Sequence, residues 1–251
     1  MNVIFHPKFY ESYTHDPAAS PGRMEAIVKA LEKEFEFVEP EPASEMDLER
    51  VHGKNHIQSV KREPLVYETG LLAAGGAILA AEMAFDGQLA FGLIRPPGHH
   101  ASPHSCWGFC YFNNIAIAIK KLLSEGKIKS GLILDFDLHY GDGTANTFSG
   151  SKEVSYFHPE GTDRDAFLKD LERCLQTERP YEIIAISAGF DRHEEDWGGL
   201  LKTEDYRIIG EWAKEASLKN CQGRRFGVLE GGYNHSVLGR NVRSFLQGFR
   251  D

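Results

Sequence analysis

The sequence is poor in features that cross-link or export a protein. Its 251 residues include four cysteines, and none of them belongs to a C-x-x-C pair. The first stretch, MNVIFHPKFY, is too short and too polar for the apolar core of a secretory signal. Cys106 and Cys110 lie close in sequence, but a second thiol pair for a structural zinc site is missing. We therefore predict reduced thiols and a cytoplasmic location.

Long apolar runs and an excess of positive charge are also missing. We find no apolar run long enough to span a bilayer. The small-residue segment 67–85 carries Glu68 and Glu82, which favours a core helix over a membrane helix. The formal net charge is −9 and the pI is about 5.7, which argues against general nucleic-acid binding. We predict no membrane partner and no nucleic-acid partner.

Two common catalytic signatures are absent as well. There is no G-x-S-x-G nucleophile elbow and no Walker-type phosphate loop. There is also no internal repeat, low-complexity segment or linker. With 41% hydrophobic residues, the chain has enough apolar material for a sizeable core without disulfides. We therefore predict a single domain over residues 1–251.

Helical and strand patterns alternate along the chain, which predicts an α/β fold with a mostly parallel sheet covered on both faces. The predicted strands are the apolar segments 2–5, 89–94, 131–136, 153–157, 182–189 and 225–231. The predicted helices are the periodic segments 20–35, 45–62, 67–85, 114–126, 164–178, 203–220 and 235–249.

Polar residues with metal-binding potential follow several of these strands. The segment LILDFDLHYGDGT, residues 132–144, ends an apolar strand with Asp137 and His139 two positions apart. In an extended segment such residues point the same way and can meet one ion. Asp191 follows another predicted strand and can supply a third ligand, because ligands bind beyond the carboxyl ends of parallel strands. Two carboxylates and one imidazole suit Zn²⁺, and they also suit Fe²⁺ or Mn²⁺.

A histidine pair and spare carboxylates suggest proton transfer beside that metal. His99 and His100 follow the strand 89–94, and Asp135 and Asp142 remain free to orient them. Two His–Asp pairs provide a general base and a general acid. Tyr233, in LEGGYN, can polarise a carbonyl and stabilise an oxyanion.

The segment WGFCYFNN, residues 107–114, places a glycine among aromatic residues. Phe109 is a candidate wall of a narrow tunnel for an apolar chain, and Gly108 can offer its carbonyl to a substrate amide. An aromatic cluster of this kind also occurs in ordinary cores, so both interpretations stay open.

Together these motifs resemble the zinc-dependent histone deacetylase family, which includes acetylpolyamine amidohydrolases and acetoin-utilisation proteins. The matching segments are RPPGHHA, GFCYFNNIAIA, LDFDLHYGDGT, SAGFD and LEGGYN, which occur in family order within residues 95–234. A weaker match is HDPAASPGRMEAI near the start. The resemblance implies the arginase/deacetylase fold, a three-layer α/β/α domain.

The resemblance also implies roles for individual residues. Zn²⁺ would be held by Asp137, His139 and Asp191, with Fe²⁺ as an alternative. His99 and His100 would be the catalytic pair, oriented by Asp135 and Asp142, with their division of base and acid roles left open. Tyr233 would polarise the acyl carbonyl. The substrate would be bound by Gly108, Phe109, His158, Gly231, Gly232 and Arg23, where Arg23 lies at the inner end of the tunnel and Phe157 is an alternative to His158. A structural K⁺ would bind at Asp135, Asp137, His139, Ser155 and Tyr156, largely through backbone carbonyls.

Some features depart from the family pattern. Only KREPLV stands where relatives have a longer segment with an acidic substrate-gripping residue, and SYFHPEGTD is also short. Tyr140 stands where many relatives have a second histidine. These differences predict a shorter, more open mouth.

The predicted function is a metal-dependent amidohydrolase that removes an acetyl or other short acyl group from an amine. The metal would activate a water that attacks the amide carbonyl, and both acetyl-lysine and small N-acetyl amines fit. One alternative is an arginase-like dinuclear hydrolase, although His193 stands where a bridging carboxylate is needed. Another alternative is a non-catalytic relative that senses a ligand. The oligomeric state stays open.

Overall fold

Parallel β-strands form the centre of the molecule. The structure is a computed structural model that describes residues 1–177 and 181–250. Within these residues seven strands make one sheet: β1 (Asn2–Ile4), β2 (Glu36–Val38), β3 (Ala90–Gly92), β4 (Gly131–Asp135), β5 (Val154–Phe157), β6 (Ile184–Ala188) and β7 (Arg225–Leu229). Their spatial order is β2-β1-β3-β7-β6-β4-β5, and each of these described pairings is parallel.

Helices cover the sheet. In the described ranges the α-helices are α1 (Arg23–Leu31), α2 (Glu45–Leu48), α3 (Lys54–Val60), α4 (Pro64–Phe85), α5 (Asn114–Ser124), α6 (Asp142–Thr147), α7 (Arg164–Gln176), α8 (Thr203–Cys221) and α9 (His235–Arg250). Helices α4 and α5 pack together, as do α8 and α9, and both pairs contact the sheet. Every residue of β4, β6 and β7 is buried, so these strands are covered on both faces. The predicted three-layer α/β/α fold is confirmed.

The prediction of one continuous helix over residues 45–62 is wrong. Residues 45–62 form two short helices, α2 and α3, because the chain between them turns to meet a loop. Ser44 and Asp47 make a reciprocal capping box that begins α2. The N–H of Gly53 donates to the Pro103 carbonyl at 2.9 Å, and a Cβ at Gly53 would lie 2.7 Å from Nδ1 of His104. Contact with that loop therefore ends one helix and starts the next.

Two short elements, β2 and α6, were not predicted. The strand β2 has three residues, none of them fully buried, so it lacks a clear apolar pattern. Helix α6 directly follows the polar segment after β4, which the sequence indicates only as a turn. The predicted helix 164–178 is α7, which ends at Gln176, and Glu178 lies outside the described residues.

Helix α4 corrects the expectation that no segment is long enough to cross a bilayer. It has 22 residues, and its most apolar window has a mean hydropathy of 1.4, so by length and composition it could span one. However, 67% of that window is buried inside the protein, where α4 contacts α5, β3 and β7. This burial agrees with the expectation of a core helix, because a core helix and a membrane helix share this composition.

The register of the sheet decides which residues meet at its edge. Asp135 pairs with Ser187, and Ser187 pairs with Val228, so β4, β6 and β7 end side by side. The segments that follow these three strands therefore leave the sheet at one edge. This arrangement brings the regions after residues 135, 188 and 229 together, as ligand sites in parallel sheets require.

Helix α4 also generates a stability prediction. A Cβ at Gly75 would lie 1.9 Å from the Glu41 carbonyl oxygen and 2.9 Å from the Ala43 nitrogen. We expect Gly75→Ala to lower the free energy of unfolding by about 1–3 kcal/mol through overpacking. Glycine-to-alanine changes in helices normally raise it by about 0.5–1 kcal/mol, so the sign is diagnostic.

Urea unfolding measures this change, and Gly70→Ala in the same helix is the control. Among the described residues, a Cβ at Gly70 meets side-chain atoms of the Phe112 ring alone, at 3.0 Å and 3.2 Å, and no backbone atom. We expect a smaller loss at Gly70 than at Gly75. A Gly75→Ala protein as stable as the wild type would contradict the close packing of α4 on residues 41–43.

Candidate active site

Asp137, His139 and Asp191 converge beyond the ends of β4 and β6. Their candidate ligand atoms all lie within 4.8 Å of one another. Nδ1 of His139 is 3.2 Å from Oδ1 of Asp137 and 3.1 Å from Oδ2 of Asp191. Both carboxylates are buried, whereas His139 is partly exposed. The structure thus brings the three predicted metal ligands together at one point with an open side.

The protonation of this cluster indicates where a cation belongs. Burial opposes the charge of Asp137, but His99 and His139 lower its pKa below the usual range. Burial and the neighbouring Asp137 raise the pKa of Asp191 to about 6. Close contacts with the carboxylates of Asp137 and Asp191 raise the pKa of His139 to about 10. Two buried carboxylates are thus balanced by a protonated imidazole.

The surroundings of the Asp191 carboxylate also indicate that a cation belongs at this point. Although Nδ1 of His139 is near, the buried Oδ2 of Asp191 accepts no well-oriented hydrogen bond from the described residues. A buried carboxylate oxygen without a donor is unfavourable unless a cation meets it. Two aspartates and a histidine are a donor set that suits Zn²⁺. The residues present therefore fit a divalent metal ion.

Backbone N–H groups hold the two carboxylates in place. The N–H of Gly231 donates to Oδ2 of Asp137 at 2.8 Å, and the N–H of His139 donates to its Oδ1 at 2.9 Å. The N–H of Leu138 donates to Oδ1 of Asp191 at 3.0 Å. A Cβ at Gly231 would lie 2.6 Å from Oδ2 of both aspartates, so glycine is required there. Gly231 thus contacts both candidate metal-ligand carboxylates.

Each of the paired histidines has its own aspartate, as expected. Nδ1 of His99 is 3.0 Å from Oδ2 of Asp135, and Nδ1 of His100 is 2.7 Å from Oδ1 of Asp142. Their rings lie 4.1 Å apart between centroids. With an aspartate at each Nδ1, the Nε2 atoms remain for chemistry, and Nε2 of His99 lies 3.8 Å from Oδ1 of Asp137.

The two histidines differ in basicity. Burial alone would lower the pKa of His99, but the carboxylates of Asp135, Asp137 and Glu230 raise it well above the ordinary value. Burial and the charge of His99 lower the pKa of His100, against the opposing effect of Asp142. The pKa of His99 is raised and the pKa of His100 is lowered. Such opposite shifts give one protonated and one neutral imidazole, as an acid and a base require.

Glu230 is a part of the site that the sequence did not assign. Its Oε2 accepts hydrogen bonds from the N–H of Gly98 at 2.7 Å and of His99 at 3.2 Å, and its Oε1 accepts from Ser187 at 3.0 Å. Burial raises its pKa to about 7. Glu230 fixes the backbone that carries His99. The sequence did contain an indication of this role, because Glu230 directly follows the buried strand β7.

The segment after Cys106 covers His100. The Trp107 ring lies 4.0 Å from the His100 ring, and its Nε1 donates to Oδ2 of Asp142 at 2.9 Å. Gly108 and Phe109 both have positive φ, +59° and +66°. A Cβ at Gly108 would lie 2.5 Å from the His100 ring, so the glycine permits close approach. The sequence missed Trp107, although it lies inside the quoted segment.

Tyr233 faces the opposite side of the site. Its ring stacks on Trp197 at 4.0 Å and contacts Phe109 edge-on at 6.0 Å. Asp196 accepts hydrogen bonds at 2.8 Å from the backbone N–H groups of Tyr233 and of the next residue. Burial raises the pKa of Tyr233 above the ordinary value, so its hydroxyl keeps its proton. The sequence missed Asp196 and Trp197, which lie in an exposed loop.

Arg23 lies behind this tyrosine. Its Nε donates to the Gly232 carbonyl at 2.8 Å, and its Nη2 donates to the Glu230 carbonyl at 2.6 Å. The guanidinium lies 5.6 Å from the centre of the Tyr233 ring. Arg23 and Gly232 therefore support the turn that presents Tyr233.

The residues predicted to bind K⁺ make other contacts. Tyr156 donates its hydroxyl to Oδ2 of Asp135 at 2.9 Å, and Ser155 is exposed. The Asp137 carbonyl accepts a hydrogen bond from Nε of Arg192 at 3.0 Å. His158, a predicted substrate contact, places its Nε2 3.1 Å from Nη2 of Arg192. Arg192 therefore takes one predicted K⁺ ligand, the Asp137 carbonyl, and K⁺ binding through the other predicted carbonyls stays a prediction.

The architecture and site define a hydrolase of the deacetylase type, and comparisons identify its family. A family model for the histone deacetylase domain matches residues 17–160 and 158–249. A probable deacetylase of Methanothermobacter thermautotrophicus is 31% identical over 98% of this chain and 90% of its own. The histone deacetylase-like amidohydrolase of Pseudomonas aeruginosa is 26% identical over 89% of this chain and 73% of its own.

The chain therefore belongs to the histone deacetylase family. A probable deacetylase of Archaeoglobus fulgidus is also 31% identical, over 92% of this chain and 81% of its own. The crystal structure of the HDA15 HD domain superposes with a TM-score of 0.84, covering 99% of this chain and 90% of that one. At 23% identity this likeness shows the fold, which is the arginase/deacetylase fold.

The proton that His139 carries in the metal-free protein provides a test of metal binding. Because the pKa of His139 is raised to about 10, this imidazole is protonated in the metal-free protein at pH 7.5. A divalent ion must displace that proton, so we expect Zn²⁺ binding to release about one proton and to tighten as pH rises toward 10.

Calorimetric titration of metal-free protein in two buffers with different ionisation enthalpies counts the released protons. His100→Gln is the control, because His100 lies beside the site without being a proposed ligand, and its lowered pKa means that we expect the released proton to be retained. Equal binding heats for the wild type in both buffers would contradict the assignment.

Proposed function

We propose that this deacetylase-family hydrolase is a Zn²⁺-dependent amidohydrolase that removes an acetyl or other short acyl group from an amine. The observation that supports this most directly is the convergence of the metal-ligand cluster with both His–Asp pairs. Tyr233 borders the same point from the loop after β7. Zn²⁺ held by Asp137, His139 and Asp191 supplies a Lewis acid that polarises the amide carbonyl and makes water acidic enough to react near neutral pH.

The two histidines divide the proton transfers in this proposal. His100 is neutral, because burial and the charge of His99 lower its pKa, so its Nε2 accepts a proton from the attacking water. Asp142 holds the ring through Nδ1 and stabilises the imidazolium. The same Nε2 then returns the proton to the departing amine. His99 stays protonated and favours negative charge on the reacting atoms.

Tyr233 acts on the carbonyl oxygen. Its hydroxyl remains protonated, because burial raises its pKa, and it donates a hydrogen bond to the developing oxyanion. Trp197 on its face and Asp196 on its backbone fix its orientation before substrate arrives. The Tyr233 side chain therefore needs less reorientation during the reaction.

The surroundings of the site bear on the substrate. Trp107, Tyr140 and Trp197 are among the exposed large apolar residues, and each contacts a neighbour of the metal-ligand cluster. A cleft of about 560 Å³ lies beside the site, lined by Tyr233 and residues from the segment 12–21, but the proposed metal ligands and the histidine pair do not line it. The exposed aromatic residues themselves indicate an open mouth that suits an acetyl-lysine side chain or a small acetylated amine. We propose the amine substrate only as one of these two classes. The cytoplasmic location and the use of Fe²⁺ are proposals as well.

A dinuclear, arginase-like centre is less well supported. His193 stands where a second metal would need a carboxylate, and both ring nitrogens are engaged elsewhere. Its Nδ1 accepts from the N–H of Glu195 at 3.1 Å, and its Nε2 lies 3.2 Å from the Thr203 hydroxyl. A ligand-sensing protein without catalysis would not need every catalytic group in hydrogen-bonding position. The hydrolase is therefore the function we propose.

Removal of the Tyr233 hydroxyl tests the mechanism. We expect Tyr233→Phe to lower kcat by about 10²–10³-fold, the usual effect of losing one oxyanion donor. The measurement is acetate release from an acetyl-lysine peptide and from acetylated small amines.

Tyr181→Phe provides the matched control, since Tyr181 is also buried and its hydroxyl accepts from Asn220 at 3.0 Å, outside the candidate active site. We expect its kcat to be unchanged. Full activity of Tyr233→Phe would exclude the oxyanion role, whereas an inactive but metal-loaded wild type would favour ligand sensing.

The metal content separates the mononuclear from the dinuclear proposal. We expect one Zn²⁺ per chain, held by Asp137, His139 and Asp191. A second buried group, His99, Cys110 and Glu230, is less suited to a metal, because His99 contacts Asp135 and the Glu230 carboxylate already accepts three hydrogen bonds. Elemental analysis of protein reconstituted with Zn²⁺ and then dialysed measures this ratio. Asp191→Asn should bind much less metal, and a ratio near two in the wild type would favour the dinuclear enzyme.

A further inference from the structure

Arg192 directly follows a proposed metal ligand and is itself buried. Only 8% of it is exposed. Its Nε donates to the Asp137 carbonyl at 3.0 Å, and its Nη2 donates to the Leu138 carbonyl at 3.2 Å. Nη2 also lies 3.1 Å from Nε2 of His158, and the guanidinium lies 4.4 Å from the centre of the Phe167 ring. The two carbonyl contacts reach the backbone beside Asp137 and not its carboxylate.

These hydrogen bonds join two segments that both carry metal ligands. Asp137 and Leu138 follow β4, while Arg192 belongs to the segment after β6 that carries Asp191. The guanidinium therefore bridges the two strand ends through the backbone. Because the Nε donor and one Nη2 donor are fixed in a planar group, the bridge sets the relative position of the two carbonyls.

The local charge favours a cation at this point. Burial lowers the pKa of Arg192, and the carboxylates of Asp137, Asp191 and Asp135 oppose that shift by stabilising the guanidinium. Arginine keeps its proton in proteins, so this positive charge does not depend on ligand supply. His158 accepts one hydrogen bond and Phe167 covers one face, and together they hold the side chain in a single orientation.

We propose that Arg192 is a positioning residue. Its guanidinium takes the place of a structural monovalent cation between the segments that carry Asp137 and Asp191. It takes the Asp137 carbonyl that the resemblance assigned to a structural K⁺. Tyr156 and His99 also engage the Asp135 carboxylate, so this side chain and the Asp137 carbonyl already have partners within the chain. The protein consequently binds its divalent metal without needing a monovalent ion. This inference rests on the proposed metal-dependent function.

The test measures Zn²⁺ affinity by competition with a chromophoric chelator, together with deacetylation rate. Metal-free protein is placed in chloride salts of K⁺, Na⁺, Cs⁺ or tetramethylammonium at equal ionic strength. For the wild type we expect affinity and rate to agree within about twofold among the four salts. In tetramethylammonium, Arg192→Ala should bind Zn²⁺ about 10–100-fold more weakly, the usual cost of losing a group that supports metal ligands.

Addition of a small cation to Arg192→Ala distinguishes positioning from general destabilisation. K⁺ or guanidinium should recover part of the lost Zn²⁺ affinity, because either ion can enter the space between the carbonyls. Arg192→Lys keeps the charge and should retain part of the affinity in every salt. If Arg192→Ala fails to fold, the lysine variant and the wild-type salt response carry the test.

Arg225→Ala is the matched control. Arg225 is equally buried, donates two hydrogen bonds to the Phe249 carbonyl, and lies 5.1 Å from the centre of the Phe249 ring. Its loss should lower Tm without changing Zn²⁺ affinity or creating a response to K⁺.

Three outcomes would overturn the inference: a wild type whose Zn²⁺ affinity rises severalfold with K⁺, an Arg192→Ala protein with wild-type affinity, or equal cation rescue of both arginine variants. A wild type that binds no Zn²⁺ in any salt would instead refute the proposed function.

Discussion

The structure depends on accommodating several carboxylates where water cannot reach them. Asp135, Asp137, Asp191 and Glu230 are all buried at one edge of the sheet. Buried anions are costly unless donors and cations surround them. Strand ends provide the backbone N–H groups, and histidines and arginines provide the positive charge. The fold is therefore organised around an excess of negative charge that a divalent ion would relieve.

This constraint explains why the polar groups act as a connected set. The carboxylate of Glu230 holds the backbone of His99, whose imidazole in turn contacts Asp135. Arg23 ties the Glu230 and Gly232 carbonyls to the turn that carries Tyr233. A change at one member alters the hydrogen bonding of the next, so effects of substitutions here should not be additive.

Much of this edge follows from the sequence, because parallel strands bring their carboxyl ends together. The Asp137–His139 spacing and the His99–His100 pair required only that rule and the periodicity of a strand. The partners of the two histidines were also predicted, and the structure shows both His–Asp contacts. The α/β alternation likewise predicted the three-layer fold.

Other features could not be predicted because they depend on loop paths. Trp197 meets Tyr233 only through the route taken by an exposed loop, and no periodicity marks that route. Arg192 looks like an ordinary charged residue in sequence, yet the packing of Phe167 and His158 turns it inward. The broken helix at Gly53 results from a distant loop, which local propensity does not register.

The placement of the tryptophans gives the protein its own optical reporter. The sequence contains three tryptophans, and the structure puts two of them against His100 and Tyr233. The third, Trp212, lies on α8 away from that edge. Indole emission responds to nearby polar groups and to displaced water, so a ligand entering between Trp107 and Trp197 changes the fluorescence of most of the emitting side chains. Occupancy of the site is therefore readable in solution without a label.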